Sequence, residues 1–527
     1  MQPEAPEESP ATAQAPVSTG SRVVRNSLWN TLNFAITLPI GLYLTPFVFG
    51  SLGDADYGVW AMIGTFTSLT SLANLGISTA LTHFVAAHHA RGETDIIDRK
   101  VNTAFVVYCG VAALVSAVLM PLMPWLARTF FQVPPARIPE IVLYLRASTL
   151  AFFAVLVFTG HFSIFQGLQR FDLLNINAIA WSLVSLGGTV WLLGAGYGLE
   201  GLVWFSAAQM LVSIAICWLL MKSILPAVGL RPWRFSAADA AEILRYSVHV
   251  FLGSLSGLMM AQLDRLLIGY FLEIRYAGYY QVPSDLVTKA RAIPSNLIGP
   301  LMAAASHLAA KEETEKVRQL YLRGLRYALI LGLPGFLWLV QFAAPFVTAW
   351  IGPGKAEMVM TLQVLALAHL ANVLTGPGTQ VLAGLGAPQY GMWVGMGALA
   401  LNLIVTVATV RELGYLAVVL GVAAGYVLAA LCFFPVAHRR LSVTSLEVLS
   451  SAVWLPAAAG ALASCVMHVA GASAWATSFA KVLLTIPAYS AAYGAFLLLL
   501  GFPGEQDRQL VERHLPAWVG RLPGVRR

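Results

Sequence analysis

Long apolar stretches alternate with short polar breaks along almost the whole chain. Fourteen of these stretches are about 20 residues long or longer, which is the length an α-helix needs to cross the hydrocarbon core of a bilayer. The pattern therefore predicts an all-α, polytopic membrane protein with about 14 transmembrane helices. The predicted spans are residues 28–50, 58–85, 101–126, 141–165, 174–195, 201–221, 246–272, 277–307, 327–351, 361–385, 392–411, 415–437, 449–470 and 477–501.

Lysine and arginine are distributed unevenly among the polar breaks. With the amino terminus placed inside the cell, the inside breaks hold 22 of these residues and the outside breaks hold six. Cytoplasmic loops of membrane proteins carry such an excess of positive charge. The distribution predicts an even number of spans and places both termini in the cytoplasm.

Composition supports the membrane assignment and excludes several functions. Of the 527 residues, 58% are hydrophobic and 11% are charged, whereas about 25% of the residues of a soluble domain are charged. The net charge of +7 comes from basic residues scattered between apolar blocks, which argues against a nucleic-acid partner. The four cysteines lie far apart, without a Cys/His cluster, and therefore predict no metal site or cofactor.

The first six spans and the next six contain similar segments in the same order. FGSLGDADYGVWAMI at 49–63 compares with GYFLEIRYAGYYQVP at 269–283, so that Gly58 matches Gly278. MPWLARTFF, FQGLQRF and YGLEGLVW compare in the same way with segments that begin at residues 344, 382 and 413. Two units with an even number of spans share one orientation, and such proteins place the substrate path between two lobes.

These observations divide the chain into six parts. Residues 1–21, rich in Pro, Ala, Ser and Glu, are predicted to be a disordered cytoplasmic tail. An N-lobe at 22–221 and a C-lobe at 246–437 are joined by a cytoplasmic linker at 222–245. Two further helices at 438–501 precede a cytoplasmic tail at 502–527.

Three segments resemble a known family. The outside break SLGDADYGVWAM at 51–62, the stretch QLDRLLIGYFLEIRYAGYYQV at 262–282 and FQGLQRF at 165–171 are similar to segments of polysaccharide and O-antigen flippases. These proteins belong to the multidrug, oligosaccharidyl-lipid and polysaccharide exporter superfamily. The resemblance covers essentially residues 22–501.

This resemblance implies a transporter, not an enzyme, with two six-helix lobes and two extra carboxy-terminal helices. It implies that the chain moves an undecaprenyl-diphosphate-linked oligosaccharide across the cell inner membrane by alternating access. Implied partners are this lipid-linked substrate, membrane lipid, and polysaccharide polymerase and chain-length proteins. The sequence contains no GxxxxGK[ST] phosphate-binding loop that would indicate ATP hydrolysis.

Ionisable residues inside a membrane are costly and often functional. Charged residues inside the predicted spans gather on spans seven and eight, which hold Asp264, Arg265, Asp285, Lys289 and Arg291, while Arg146 lies near a span end. From the rise of 1.5 Å per residue, Lys289 and Arg291 approach the midplane, and the other three lie nearer the outer surface. On an ideal helix Lys289 and Arg291 point about 200° apart.

Two readings of these charges remain open. In the first, Lys289, Arg291 and Arg265 line a cavity that binds a diphosphate head group, because arginine and lysine recognise phosphate oxygens. Asp264 and Asp285 would then be cavity acids or pairing partners. In the second, Asp285 forms ion pairs with Arg265 and with Lys289, and these pairs only stabilise the packing of the lobe.

Other residues are weaker candidates. Arg22, Arg25 and Arg245 precede spans one and seven, where anchoring at the membrane surface is the favoured explanation. The alternative is that they gather phosphate at the cytoplasmic mouth. His83, His161 and His369 could couple protons, but a lone histidine is usually a packing residue.

Three other functions compete with this one. A peptidoglycan lipid precursor flippase belongs to the same superfamily. An ion-coupled multidrug exporter usually has twelve spans and acidic residues in its first lobe, whereas spans one to six contain none here. A membrane-embedded polymerase or glycosyltransferase would need a large loop or a domain outside the membrane, and the breaks in this chain are too short.

Overall fold

The structure, a computed structural model, describes residues 19–89, 91–130, 133–168, 170–309 and 311–503. Within these ranges the regular secondary structure is entirely helical, and eleven helices are long and apolar enough to cross a membrane. The predicted all-α polytopic fold is therefore confirmed. Most of the two predicted tails, residues 1–18 and 504–527, lies outside the described residues.

The first lobe is built from six helices. Gly53 has a non-helical backbone conformation (φ 75°, ψ 175°) and divides the first of them into two helical segments, which contain span one and the beginning of span two. Glycine adopts this backbone conformation without steric cost. The break predicted at 51–57 is thus a kink at Gly53 between two helical segments, and span two is itself interrupted at 71–76. The helices are α1 Thr19–Thr70, α2 Ile77–His89, α3 Thr94–Trp125, α4 Ile138–Gly167, α5 Phe171–Gly194 and α6 Gly198–Ile224.

The second lobe and the carboxy-terminal helices complete the chain. Spans eleven and twelve are separate helices, divided only by Gly414, and span eight is interrupted between Ile298 and Leu301. The second-lobe helices are α7 Ala237–Phe271, α8 Arg275–Ile298, α9 Leu301–Ala309, α10 Thr314–Gln341, α11 Ala343–Trp350, α12 Ala356–Gly384, α13 Gln389–Leu413 and α14 Tyr415–Arg440. The remaining helices are α15 Ser445–Val448, α16 Trp454–Val469, α17 Ala472–Trp475 and α18 Phe479–Leu499.

The internal repeat is visible in the hydrogen bonds of equivalent turns. Before α3, the backbone N–H of Glu93 donates to the carbonyl of His88 at 3.0 Å; 220 residues later, Glu313 donates to Leu308 at 3.1 Å. The turns after α4 and α12 likewise share one pattern, in which Arg170 bonds to Phe165 and Ala387 bonds to Leu382. Segments that match in sequence therefore also match in backbone geometry.

The linker between the lobes is fastened to α3 by buried charges. The Asp98 side chain, 2% exposed, accepts hydrogen bonds from the Gly229 backbone N–H at 2.8 Å and from Arg234 at 2.7 Å. Beyond the linker, Asp239 on the first turn of α7 pairs with Arg99 and Lys100. The beginning of α7 consequently packs on the N-lobe, although its end belongs to the C-lobe.

Candidate substrate-binding site

Asp264, near the end of α7, lies in a closed network of uncharged partners. The residue is 3% exposed. One carboxylate oxygen accepts from the Tyr280 hydroxyl, and the other accepts from the Asn402 side chain at 2.7 Å. Asn402 in turn accepts from Thr406 at 3.2 Å. Three helices, α7, α8 and α13, are thereby joined around one buried carboxylate.

Arg265 and Asp285 are connected through an amide. Arg265 donates to the side-chain oxygen of Gln281, and the Gln281 amide nitrogen donates to Asp285 at 2.7 Å. Gln281 and Asp285 lie four residues apart on α8 and therefore share a face of the helix. The charge pattern alone does not predict this bridge.

Lys289 and Arg291 point in different directions, as the helical geometry predicts. The Lys289 ammonium lies against the backbone of α1, only 2.8 Å from where a Cβ atom on Gly41 would be. Arg291 faces the other way and donates to Asn372 on α12 at 3.0 Å. Lys289 thus lies at the boundary between the lobes, and Arg291 lies inside the C-lobe.

Two cavities meet at the bridge between Arg265 and Asp285. One, of about 390 Å³, lies within the C-lobe and is lined by Arg291, His369 and Asn372. The other, of about 360 Å³, lies between the lobes and is lined by Trp60, Thr67 and Met210 among others. Arg265 and Asp285 line both cavities. These two residues therefore form part of the wall between the cavities.

Contacts between the lobes seal the predicted outer side of the molecule. Asp54, at the kink of α1, accepts from Lys355 at 2.6 Å and from the Tyr279 hydroxyl at 2.6 Å. Nearby, α1 at Gly58 packs closely against α8 at Gly278. The approach is so close that a Cβ atom on Gly58 would stand 2.4 Å from the carbonyl oxygen of Ile274. Residues matched by the internal repeat therefore meet at the contact between the two lobes.

The remaining candidates lie away from this centre. Arg245 is on an exposed part of α7, and the side chains of Arg22 and Arg25 lie outside the described part of the chain. His161 is fully buried among the rings of Phe105, Phe158 and Trp218. His83 stacks on Tyr246. Of the three predicted histidines, only His369 lines the C-lobe cavity.

Sequence reasoning missed the uncharged polar residues of the site. Tyr280, Gln281, Asn372 and Asn402 hold or connect the charged groups. Their signal is present but weak, because amide and phenol side chains inside apolar spans are polar groups that need partners in the membrane. Nothing in their spacing shows which charge each one meets.

Comparisons with known proteins agree with this architecture. A family model described as "Polysaccharide biosynthesis protein" matches residues 52–360. The membrane protein EpsK of Bacillus subtilis is 23% identical over 92% of this chain and 96% of its own length. The probable flippase AglR of Haloferax volcanii is 22% identical over 71% of this chain and 75% of its own length.

Solved transporters share the fold. The lipid II flippase MurJ in an inward closed conformation matches with a TM-score of 0.71 and 11% identity, over 90% of this chain and 98% of its own. An inward-facing multidrug resistance transporter of the MATE family matches with a TM-score of 0.67 and 15% identity, over 78% of this chain and 98% of its own. Since the family model covers more than half of the chain, the protein belongs to the polysaccharide biosynthesis protein family.

Proposed function

We propose that the protein flips an undecaprenyl-diphosphate-linked oligosaccharide across the cell inner membrane for polysaccharide or O-antigen biosynthesis. The observation that carries this proposal is the position of Lys289. Its ammonium reaches from α8 to the backbone of α1, across the boundary between the lobes. Among the described residues it has no hydrogen bond or ion pair. A cation in a membrane without a counter-ion costs several kcal/mol, which an anionic head group would offset.

A diphosphate suits the chemistry around Lys289. Arg265 lines the cavity between the lobes, and Arg291 is held by Asn372 in the adjoining C-lobe cavity. Lysine offers a point charge, and arginine offers a planar fork of donors for phosphate oxygens. We assign the three cations to the head group, Gln281 to the orientation of Arg265, and Asp285 to the wall between the cavities. Arg22, Arg25 and Arg245 remain candidates for the cytoplasmic mouth.

The proposed mechanism is alternating access between the two lobes. The seal at Asp54, Lys355 and Tyr279 closes the predicted outer side, which supports assigning this arrangement to the state that accepts substrate from the cytoplasm. Binding of the head group would then favour separation of the lobes on the outer side. We place both termini in the cytoplasm, from the excess of lysine and arginine in the inside breaks. Polysaccharide polymerase and chain-length proteins are the proposed partners after flipping.

The test is complementation of a strain that lacks the gene. We expect Lys289→Ala to abolish surface polysaccharide and to leave the lipid-linked intermediate on the cytoplasmic side, because its diphosphate loses a counter-charge. Lys289→Arg should retain part of the activity. Lys481→Ala serves as the control, since this partly exposed lysine at the start of α18 lines neither cavity. The measurements are surface polysaccharide, accessibility of the intermediate, and the amount of protein in the membrane.

Three other outcomes would change the proposed head-group site or the proposed substrate. Normal polysaccharide export by Lys289→Ala at normal protein levels would remove Lys289 from the head-group site. If the deletion strain lacks only peptidoglycan precursor transport, the substrate is the peptidoglycan lipid precursor. If the deletion strain becomes only more sensitive to drugs, the protein is an exporter of soluble compounds.

A further inference from the structure

An apolar groove of about 360 Å³ runs between α5 and α6 on the side of the N-lobe that faces the membrane. Its walls are formed by Leu173, Ile176 and Val184 of α5 and by Val212 and Ile216 of α6, among others. Ile176, Val184 and Val212 are about half exposed, so in the membrane they face hydrocarbon. The groove is therefore open to the membrane along its length.

A difference between the two lobes explains why this groove exists. In the C-lobe, Gly421 and Gly425 of α14 let α13 approach closely, since a Cβ atom on Gly425 would lie 2.5 Å from the Ala398 carbonyl oxygen. The repeat offset of 216 between YGLEGLVW and LGYLAVVL places Phe205 and Gln209 at the equivalent positions of α6. These larger side chains hold α5 and α6 apart where the other lobe has glycine.

The groove has a closed end and an open end. The Phe205 ring packs directly over the backbone of Gly188 and closes the end that lies toward the outer side, four residues from the predicted outer end of span six. Gln209 donates to the Trp181 carbonyl at 3.2 Å, so its amide nitrogen is satisfied within the protein. From Phe205, the lining residues of α6 extend to Leu220, about 22 Å along the helix at 1.5 Å per residue. This length exceeds half of the hydrocarbon core, which is about 30 Å thick.

The open end lies at the membrane surface that the charge distribution assigns to the cytoplasm. Arg170 comes three residues before Leu173, the first lining residue of α5, and Lys222 comes two residues after Leu220, the last lining residue of α6. Both are cations, and Arg170 pairs with Asp172. A lipid of this leaflet could therefore place a chain in the groove and its negatively charged head group beside the positive charge of Lys222.

We infer that the α5–α6 groove is a site for one acyl chain of an anionic phospholipid that stays with the protein. The occupant is a resident lipid rather than the substrate's tail, because α6 separates the groove from the cavity between the lobes. Ser206, Ala207 and Met210 line that cavity, whereas Phe205, Ala208 and Val212 line the groove. The acyl chain of the resident lipid fills the space that Phe205 and Gln209 create. It packs against α5 where α6 does not contact that helix.

The experiment measures lipid retention directly and does not depend on transport. Purified full-length protein is delipidated, incubated with dioleoylphosphatidylglycerol and analysed by native mass spectrometry. Ala208 is exposed and lines the groove, so Ala208→Trp should fill the groove with an indole ring and weaken phosphatidylglycerol binding by about tenfold. Leu219→Trp is the matched control, because Leu219 is 69% exposed on the same helix and lies outside the groove.

The proposal is supported if the wild type and Leu219→Trp retain one phosphatidylglycerol and Ala208→Trp loses it. Equal retention by all three proteins, or no retention by the wild type, would overturn it. A polyprenyl diphosphate copurifying in the groove, or a protein dimer that Ala208→Trp dissociates, would also overturn it by identifying another occupant. Ala180→Trp, which fills the groove from α5, gives a second variant if Ala208→Trp is not monodisperse.

Discussion

At the residue scale, Gly58 shows how closely the lobes approach on the outer side. A Cβ atom at this position would lie 2.4 Å from the Ile274 carbonyl oxygen and 2.9 Å from its carbon. Both atoms belong to the backbone, which cannot move aside as the end of a flexible side chain can. The contact between the lobes therefore depends on the absence of one methyl group.

We expect Gly58→Ala to weaken the outer contact by about 1–3 kcal/mol, the usual cost of extra volume in a packed region. Polysaccharide export should fall, since the state closed to the outside becomes less populated. The matched control is Gly50→Ala, on the same helix, where a Cβ atom would meet nothing within 4 Å. Equal export by the two variants at equal protein levels would show that the contact is not needed for transport.

At the scale of elements, the linker between the lobes behaves as part of the N-lobe. Asp98 of α3 receives hydrogen bonds from the linker backbone and from the side chains of Arg231 and Arg234. The first turns of α7 continue this attachment through Asp239. Helix α7 is thus held by the N-lobe at one end and by the Asp264 network of the C-lobe at the other, so that relative motion of the lobes must act on this helix.

Asp98→Ala should detach the linker. The substitution leaves the buried Gly229 N–H without its acceptor and removes the partner of two arginines, at a cost of about 1–3 kcal/mol. The cost stays in this range because the arginines are partly exposed and can be solvated. We expect a lower melting temperature and faster tryptic cleavage after Arg234, which precedes Phe235. Asp95→Ala, at a residue that is 71% exposed and pairs with Arg234, should change both measurements much less.

How much the sequence could predict also depends on the scale. The order and approximate ends of the fourteen spans follow from local apolar patterning, because each span must bury its own backbone hydrogen bonds in lipid. The interruption of span two at residues 71–76 was not predicted, because the apolar pattern continues through it. The partners of the intramembrane charges were also not predictable: Asn402 meets Asp264 from 138 residues away, and no local pattern encodes such a contact.

At the scale of the whole molecule, one ion pair between the lobes dominates the polar contacts of the outer seal. The Lys355 ammonium lies 2.6 Å from each oxygen of Asp54 and about 5 Å above the rings of Phe49 and Tyr279. Asp54 belongs to the N-lobe, and Lys355 and Tyr279 belong to the C-lobe. Opening the molecule to the outside must break this pair.

Charge reversal can test this role. Asp54→Lys and Lys355→Asp should each reduce export several-fold, because like charges then meet across the lobes, and the double reversal should restore most of it. A cysteine at Gly64, which lines the cavity between the lobes, reports the state in a background without the native cysteines. Each single reversal should increase its labelling by an impermeant maleimide from outside. Unchanged labelling in both single variants would separate the ion pair from the gating of the cavity.

The contact between Gly58 and Gly278 has a consequence for how this molecule could have arisen. These glycines occupy the same position in the two repeats and face each other across the contact between the lobes. In a symmetric dimer, each residue near the twofold axis meets its own copy. An ancestral six-helix protein that paired with itself would have needed only one glycine, encoded once, to bring both of its copies this close. Fusion into one chain would then have freed the two halves to diverge, giving one half the charges and the other the lipid groove.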